Sequence, residues 1–217
     1  DSCETLGTIL NQKKVGIDGL ASSFSFYYGH HMSTIEGGMV TTNDFEMYNL
    51  MLSIRSHGWS RDLDKKVQNK LTNQYKIDEF RNLYTFYYLG YNLRSTDLNA
   101  FLGIEQLKKI DKISKVRNNN FNIYKKNLNK FWSQSSLSDF ISSFAFGTLV
   151  KNRNEVYQYL KKFDIETRPL ICGNIGRHPF WIKKYGKKNL KNADIVHDYG
   201  LYLPNNFNLR KEDVVFI

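Results

Sequence analysis

The 217-residue chain is 41% hydrophobic and 15% aromatic and carries a formal net charge of +10, enough apolar material for one or two packed domains and too much for a disordered tail. No apolar run approaches bilayer-spanning length and no charged-then-apolar leader opens the sequence, so neither membrane insertion nor secretion is encoded in this stretch, and a leader ahead of it stays open. The lysines are scattered, with local clusters at Lys183-Lys184 and Lys187-Lys188, and no helix-turn-helix, zinc-finger, RRM or KH signature surrounds them, so nucleic acid is not an expected partner.

The first forty residues read as β. Residues 15–17, 21–27 and 38–42 are short runs rich in β-branched and aromatic residues, separated by Gly or Asn/Asp turns. Asn43-Asp44 caps a predicted helix over 45–56, with Tyr48, Met51, Leu52 and Ile54 at helical spacing and Gly58 just past its end. The Lys- and Asn-rich stretch 61–82 has little periodicity and is expected to be a long surface excursion holding at most a short helix. From Ser95-Thr-Asp97 the pattern becomes strongly amphipathic, with Leu98, Phe101, Leu102, Leu107, Ile110 and Ile113 at threes and fours, in a helix that runs or restarts through Lys130. A strand at 144–150, a helix at 155–163, a strand at 165–168 and a helix at 192–199 closed by Gly200 form an expected α/β small domain. The closing Asp213-Val-Val-Phe-Ile217 reads as an unfinished strand, and the opening Asp1 adds to the expectation that the sequence is a piece of a longer protein.

Cys3 and Cys172 match no C-x-x-C metal or redox spacing, which predicts ordinary buried thiols in a reducing cytoplasm and no metal site. The segment richest in chemistry is S-F-S-F-Y-Y-G-H-H-M-S-T-I-E-G-G, residues 23–38. There a strand ends in hydroxyl and small residues and a Gly pair follows, so the turn can present hydroxyls and backbone N–H groups to a phosphate. Two adjacent histidines in a loop, His30 and His31, serve in packing more often than in catalysis when nothing else is known of them.

Three phrases in order, D-S-C-E-T-L-G, then the segment above continued by M-V-T-T-N-D, then G-Y-N-L-R-S-T-D-L-N-A-F-L-G-I-E-Q-L, resemble the DegT/DnrJ/EryC1/StrS sugar aminotransferase family. The resemblance implies an α/β fold of the pyridoxal-phosphate-dependent transferase type, similar to aspartate aminotransferase (fold type I). Residues 1–94 would be the C-terminal part of the cofactor-binding large domain, 95–130 a connecting helical region and 131–217 the small domain. In the family an aspartate pairs with the pyridine nitrogen, and Asp1 matches it; a carboxylate there keeps the ring protonated and electron-withdrawing. The family's S-F-x-x-x-K pattern places a phosphate-binding serine at Ser25 and the lysine that attaches the cofactor at position 30, where this chain has His30.

Imidazole cannot take over that covalent attachment, but it transfers protons near neutral pH. The family's sugar 3-dehydratase branch shares the substitution, and Y-G-H-H-M-S-T-I-E-G-G, R-S-H-G-W-S-R-D and E-T-R-P-L-I-C-G-N look like that branch. A second dehydratase type holds a thiolate-ligated iron–sulfur cluster, which two cysteines cannot supply. The resemblance therefore implies pyridoxal 5'-phosphate and its amine form, pyridoxamine 5'-phosphate, as cofactor, with a nucleotide-linked 4-keto-6-deoxyhexose and L-glutamate as substrates. His30 would be the acid/base. Asn92 matches an asparagine that reaches the cofactor phosphate of the other subunit, implying a homodimer with shared active sites.

Glu4 stands beside the ring in the resemblance, although a Glu there can equally be a solvated cap. Trp59 and Arg61 form a pair able to face a nucleotide or sugar, against the alternative of a capped helix end with a buried indole. Arg168 and Asn174 are expected to contact the sugar or the glutamate carboxylate. The alternatives are an aminotransferase of the same family, for which the nearest lysines are Lys13 and Lys14, and a non-catalytic family member.

Overall fold

The computed structural model describes residues 1–138 and 140–217. Two short strands come first, β1 (Ile9–Leu10) and β2 (Lys13–Lys14), paired antiparallel. The predicted strand at 15–17 is not formed: those residues are turn and bend, with Gly16 at φ +106°, a conformation that ends extended structure and suits glycine. The predicted second and third strands are present as β3 (Ser22–Ser25) and β4 (Gly38–Thr41), an antiparallel pair with Ser25 opposite Gly38.

Helix α1 (Phe45–Arg55) starts where expected, because the Asp44 carboxylate accepts the Met47 N–H at 2.8 Å. It closes through Ser56, His57 and Gly58, the last two at positive φ. The expected excursion at 61–82 is instead largely helical, with α2 (Lys65–Tyr75) and α3 (Glu79–Asn82). Each opens on an aspartate cap, Asp64 to Lys66 N and Asp78 to Arg81 N. Only Leu71 of α2 is buried, so a helix held by its caps and one apolar anchor leaves almost no periodic trace. Helix α4 (Asp97–Leu107), capped by Thr96, ends at Lys108-Lys109 and α5 (Ile110–Asn127) restarts the pattern. The apolar residues Leu98, Phe101 and Leu107 that made α4 read as core-facing are exposed in this chain.

Next come β5 (Trp132–Ser133), β6 (Ala145–Leu149), α6 (Arg153–Lys161), α7 (Pro179–Tyr185), α8 (Lys191–Tyr199), β7 (Gly200–Pro204) and α9 (Lys211–Phe216). The predicted strand at 165–168 reduces to one bridge between Arg168 and Tyr202. The C-terminal segment is a helix rather than an unfinished strand, because Asp213 reaches back to the Arg210 N–H at 2.9 Å and nucleates the turn.

The chain divides into two compact units. The first, residues 1–3 and 15–108, contains β3, β4 and α1 to α4. Within it Asn99 of α4 donates to the carbonyls of Thr34 (2.6 Å) and Glu36 (3.2 Å), fixing the turn between β3 and β4. The second unit, residues 4–14 and 109–217, holds the sheet β5-β6-β7, antiparallel throughout, with Phe146 opposite Leu203 and Gly147 opposite Tyr202. Its core is Phe121 and Tyr124 of α5 against Phe146, Val150, Leu160, Leu201, Leu203 and Val214. Tyr124 stacks on the fully buried Phe146 at 5.1 Å, and burial raises the Tyr124 phenol far above its ordinary value. Buried Arg117 donates to the carbonyls of Ser143, Phe144 and Asn205 at 3.2, 2.7 and 2.7 Å. With no carboxylate among these partners, burial pushes its guanidinium down to about 10.

Candidate active site

In the first unit the two turns expected to carry chemistry meet at one backbone residue, Cys3. Its N–H donates to Asp1 Oδ1 at 3.0 Å and its carbonyl oxygen lies 2.8 Å from His30 Nδ1. Asp1 Oδ1 also accepts the Ser23 hydroxyl at 3.2 Å, while Ser2 N–H bonds the Ser23 carbonyl at 2.9 Å. Two donors therefore orient the Asp1 carboxylate, and one backbone residue couples it to the half-buried imidazole. Because a carbonyl only accepts, the His30 contact is a hydrogen bond when Nδ1 carries the proton; in the neutral ring the lone pair then sits on Nε2.

Ser25 lies two residues beyond Ser23 on β3, hence on the same face of the strand. Its Oγ accepts the Tyr27 N–H at 3.3 Å, which leaves its own hydrogen to donate. The loop that carries His30 is closed by His30 N–H to the Tyr27 carbonyl (3.1 Å) and Thr34 N–H to the Phe26 carbonyl (2.9 Å). His31 is almost fully buried, the packing role considered for it.

Trp59 and Arg61 form an aromatic clamp. The Arg61 guanidinium lies 4.1 Å from the Trp59 ring centre and 4.7 Å from that of Tyr84, and it donates to the Leu83 carbonyl through Nε at 3.0 Å and through Nη2. Trp59 also stacks on Phe86 at 5.8 Å, and its buried Nε1–H has no hydrogen-bond partner among the described residues. Asn92 is exposed, in a stretch that pairs Ser56 with Asn92 through the backbone.

The second unit holds Glu4, Arg168 and Asn174. Glu4 and Arg168 are gathered at one strand residue: Tyr202 donates from its hydroxyl to Glu4 Oε2 at 3.4 Å and exchanges backbone hydrogen bonds with Arg168 at 3.3 and 2.7 Å. The Arg168 guanidinium pairs with Glu166 Oε1 at 3.0 Å. Asn174 is 1% exposed. Its Nδ2 donates to the Lys188 carbonyl at 2.9 Å and to Asp194 Oδ1 at 2.8 Å, and its Oδ1 accepts the Gly176 N–H at 2.8 Å, so the side chain is engaged within the protein. Asp194 in turn meets Arg177, and hydrogen bonding, first from Asn174, holds its carboxyl below the usual range. Lys14, the lysine nearest to position 30 in sequence, belongs to this second unit and pairs with Asp111 at 3.4 Å.

Sequence reasoning missed Cys3 as a backbone bridge and Tyr202 altogether, and of the two thiols expected to be buried Cys3 is only half-buried and Cys172 is exposed. A backbone carbonyl leaves no residue-type signal, and Tyr202 is 198 positions from its partner.

The fold is that of the pyridoxal-phosphate aminotransferases, as the match to solved structures below makes plain. Over residues 1–217 the sequence matches the DegT/DnrJ/EryC1/StrS aminotransferase family, and the chain belongs to it. The GDP-4-keto-6-deoxy-D-mannose 3-dehydratase of Escherichia coli O55:H7 is 34% identical over 94% of this chain and 55% of its own length. An E. coli GDP-4-keto-6-deoxy-D-mannose-3-dehydratase structure with bound hydrated PLP aligns at a TM-score of 0.88 and 31% identity, covering 100% of this chain and 58% of that one. A GDP-4-keto-6-deoxymannose-3-dehydratase structure with a trapped PLP–glutamate geminal diamine aligns at 0.86 and 29%, over 99% and 57%. The chain thus spans little more than half the length of these relatives, and the family and fold implied by the sequence motifs are confirmed.

Proposed function

We propose that the protein is a pyridoxamine-phosphate-dependent 3-dehydratase of a nucleotide-linked 4-keto-6-deoxyhexose, with L-glutamate restoring the amine form of the cofactor. The observation that carries this reading is the Cys3 bridge: an imidazole stands at the lysine position, held through Nδ1, while the carboxylate expected to face a pyridinium is fixed from the same backbone residue. Relatives named as 3-dehydratases, one of them solved with PLP, support the same class.

The donor set fits a phosphorylated pyridine. A carboxylate oriented by two hydrogen bonds suits a protonated ring nitrogen, and a strand-end hydroxyl with its hydrogen to spare suits a phosphate oxygen. When bound, the cofactor supplies an amine and an electron-withdrawing ring through which a hydroxyl beside a ketone is expelled as water. His30 would move a proton beside that ring: with Nδ1–H committed to the Cys3 carbonyl, Nε2 would be the basic nitrogen that takes it from the carbon bearing the cofactor amine and gives it to the departing hydroxyl, which leaves as water. Asp1 holds the ring nitrogen's proton and Ser25 anchors the phosphate. With no lysine at position 30 these contacts are non-covalent, so cofactor is lost readily on purification.

Trp59 and Arg61 act by shaping the loop between α1 and α2, and Asn174 by holding the segment after Arg168, whose guanidinium is the group offered to a substrate anion. Asn92 serves a partner subunit in a homodimer, and its exposed apolar sequence neighbours Tyr91 and Leu93 are residues suited to being covered.

The test supplies pyridoxal phosphate, L-glutamate and GDP-4-keto-6-deoxymannose to the complete protein and follows sugar mass. Loss of a hydroxyl to give the 3-deoxy ketone is the expected result. An aminated sugar means an aminotransferase, and no conversion of any nucleotide-4-keto-6-deoxyhexose means a non-catalytic family member.

A further inference from the structure

Residues 178–193, which carry α7 and the start of α8, contain five lysines, Lys183, Lys184, Lys187, Lys188 and Lys191, and no aspartate or glutamate. Their charge of +5 is half of the chain's net +10, and all five side chains are exposed. It is not neutralised locally. The next carboxylates along the chain, Asp194 and Asp198, are taken by Arg177 at 3.4 and 2.8 Å, and none of the five lysines has an ion pair among the described residues. Apolar side chains are interleaved with the charge: Phe180, Ile182, Tyr185 and Leu190 are exposed as well, and the Lys184 ammonium lies 5.2 Å from the Tyr185 ring centre.

The segment is fixed to the unit that carries it. The Lys188 carbonyl accepts from Asn174 Nδ2 at 2.9 Å, and its N–H donates to the Gly176 carbonyl at 3.1 Å. Leu190 N–H bonds Asp194 Oδ2 at 2.8 Å, and Trp181 packs on Tyr185 with ring centres 4.7 Å apart. A surface ordered in advance binds without first losing backbone freedom.

We propose that this surface docks the protein on an anionic lipid bilayer, the lysines on the headgroup charge and the apolar side chains at the acyl boundary. Lysines beside aromatic and aliphatic tips are the composition that holds a protein at such an interface. A nucleic acid would take up the lysines but leave Ile182 and Leu190 without a role, which favours the lipid. Among the described residues no helix is long and apolar enough to cross a membrane, so the contact is peripheral.

The complete protein is sedimented with vesicles of phosphatidylcholine containing about one third phosphatidylglycerol, and with phosphatidylcholine alone. The expected result is binding to the anionic vesicles only, lost in about 1 M salt, where the screening length falls to about 3 Å. Lys184→Gln with Lys187→Gln should weaken partitioning about 25-fold, about 5-fold for each lysine. Lys125→Gln with Lys126→Gln removes the same charge from exposed positions of α5 and should change it far less. Phe180→Ser should weaken it at unchanged net charge. Equal losses in the two lysine pairs overturn the proposal, as do equal binding to both vesicle types, binding to neither, or partitioning unmoved by Phe180→Ser. Retention of an RNA oligomer without vesicle binding gives the patch to nucleic acid and likewise overturns it. The assay needs neither cofactor nor sugar, so its outcome is separate from that of the dehydratase reading.

Discussion

Replacing Asn174 by alanine removes three hydrogen bonds at a position 1% exposed: those to the Lys188 carbonyl, the Asp194 carboxylate and the Gly176 N–H. Neutral bonds contribute about 0.5–1.5 kcal/mol and those to a charged group about 1.5–3, and the stranded Gly176 N–H and Lys188 carbonyl carry a desolvation penalty of their own. The expected cost is about 3–5 kcal/mol, read as a shift of the urea midpoint with little change in slope. Asn174→Asp separates geometry from chemistry: the new side chain has the same shape, cannot donate, and sets a second carboxylate where Asn174 now reaches Asp194 at 2.8 Å. It is therefore also destabilised at pH 7 and regains stability as acid protonates one of the pair. A loss below about 1 kcal/mol for Asn174→Ala, on the scale of a single neutral hydrogen bond, would refute the structural role.

Three further outcomes follow from the same packing. Asp194 and Asp213 both have depressed carboxyl pKa values, Asp194 chiefly through Asn174 and Asp213 chiefly through Arg210. Their contribution to stability is therefore complete above about 3.9, the unfolded value, and is lost as pH falls through the lower folded values. Urea melts at pH 7 and pH 3 should show this acid loss, reduced in Asp194→Asn. Phe146→Ala empties the centre of the β5-β6-β7 core and should cost about 3–5 kcal/mol by denaturant melts. Gly58→Ala forces a Cβ to 1.9 Å from the Tyr88 carbonyl oxygen at φ +88°, so the loop must shift. Near-ultraviolet circular dichroism should then lose the signature of Trp59 packed against Phe86.

Much of the architecture was legible because its signals are local. The Asp44 cap, the β3–β4 pair and the restart between α4 and α5 each follow from residues adjacent in the chain. Helix α2 was not legible, since its lysines and asparagines are held by the Asp64 cap and a single buried Leu71. The C-terminal Val214-Val215 pair read as β, yet the Asp213 bond to the Arg210 N–H turns the segment into helix. The apolar stripe of α4 carried the right period but not the right burial, because periodicity shows that a face is apolar and not what covers it. At the site, the spacing from Ser25 to His30 was readable, whereas the Cys3 carbonyl that sets the imidazole's tautomer is backbone and invisible to residue type.

The most direct test of the account is proton exchange at the C4′ carbon of pyridoxamine phosphate in D₂O with 2-oxoglutarate present, a keto acid whose condensation with the cofactor amine makes that carbon acidic, compared between the complete protein and its His30→Asn variant. If Nε2 of His30 is the base, exchange is fast in the unsubstituted protein and slows by about 10²- to 10⁴-fold in the variant, while pyridoxamine phosphate affinity is retained through Asp1 and Ser25. Equal exchange rates in the two proteins would contradict the assignment and with it the proposed dehydratase mechanism.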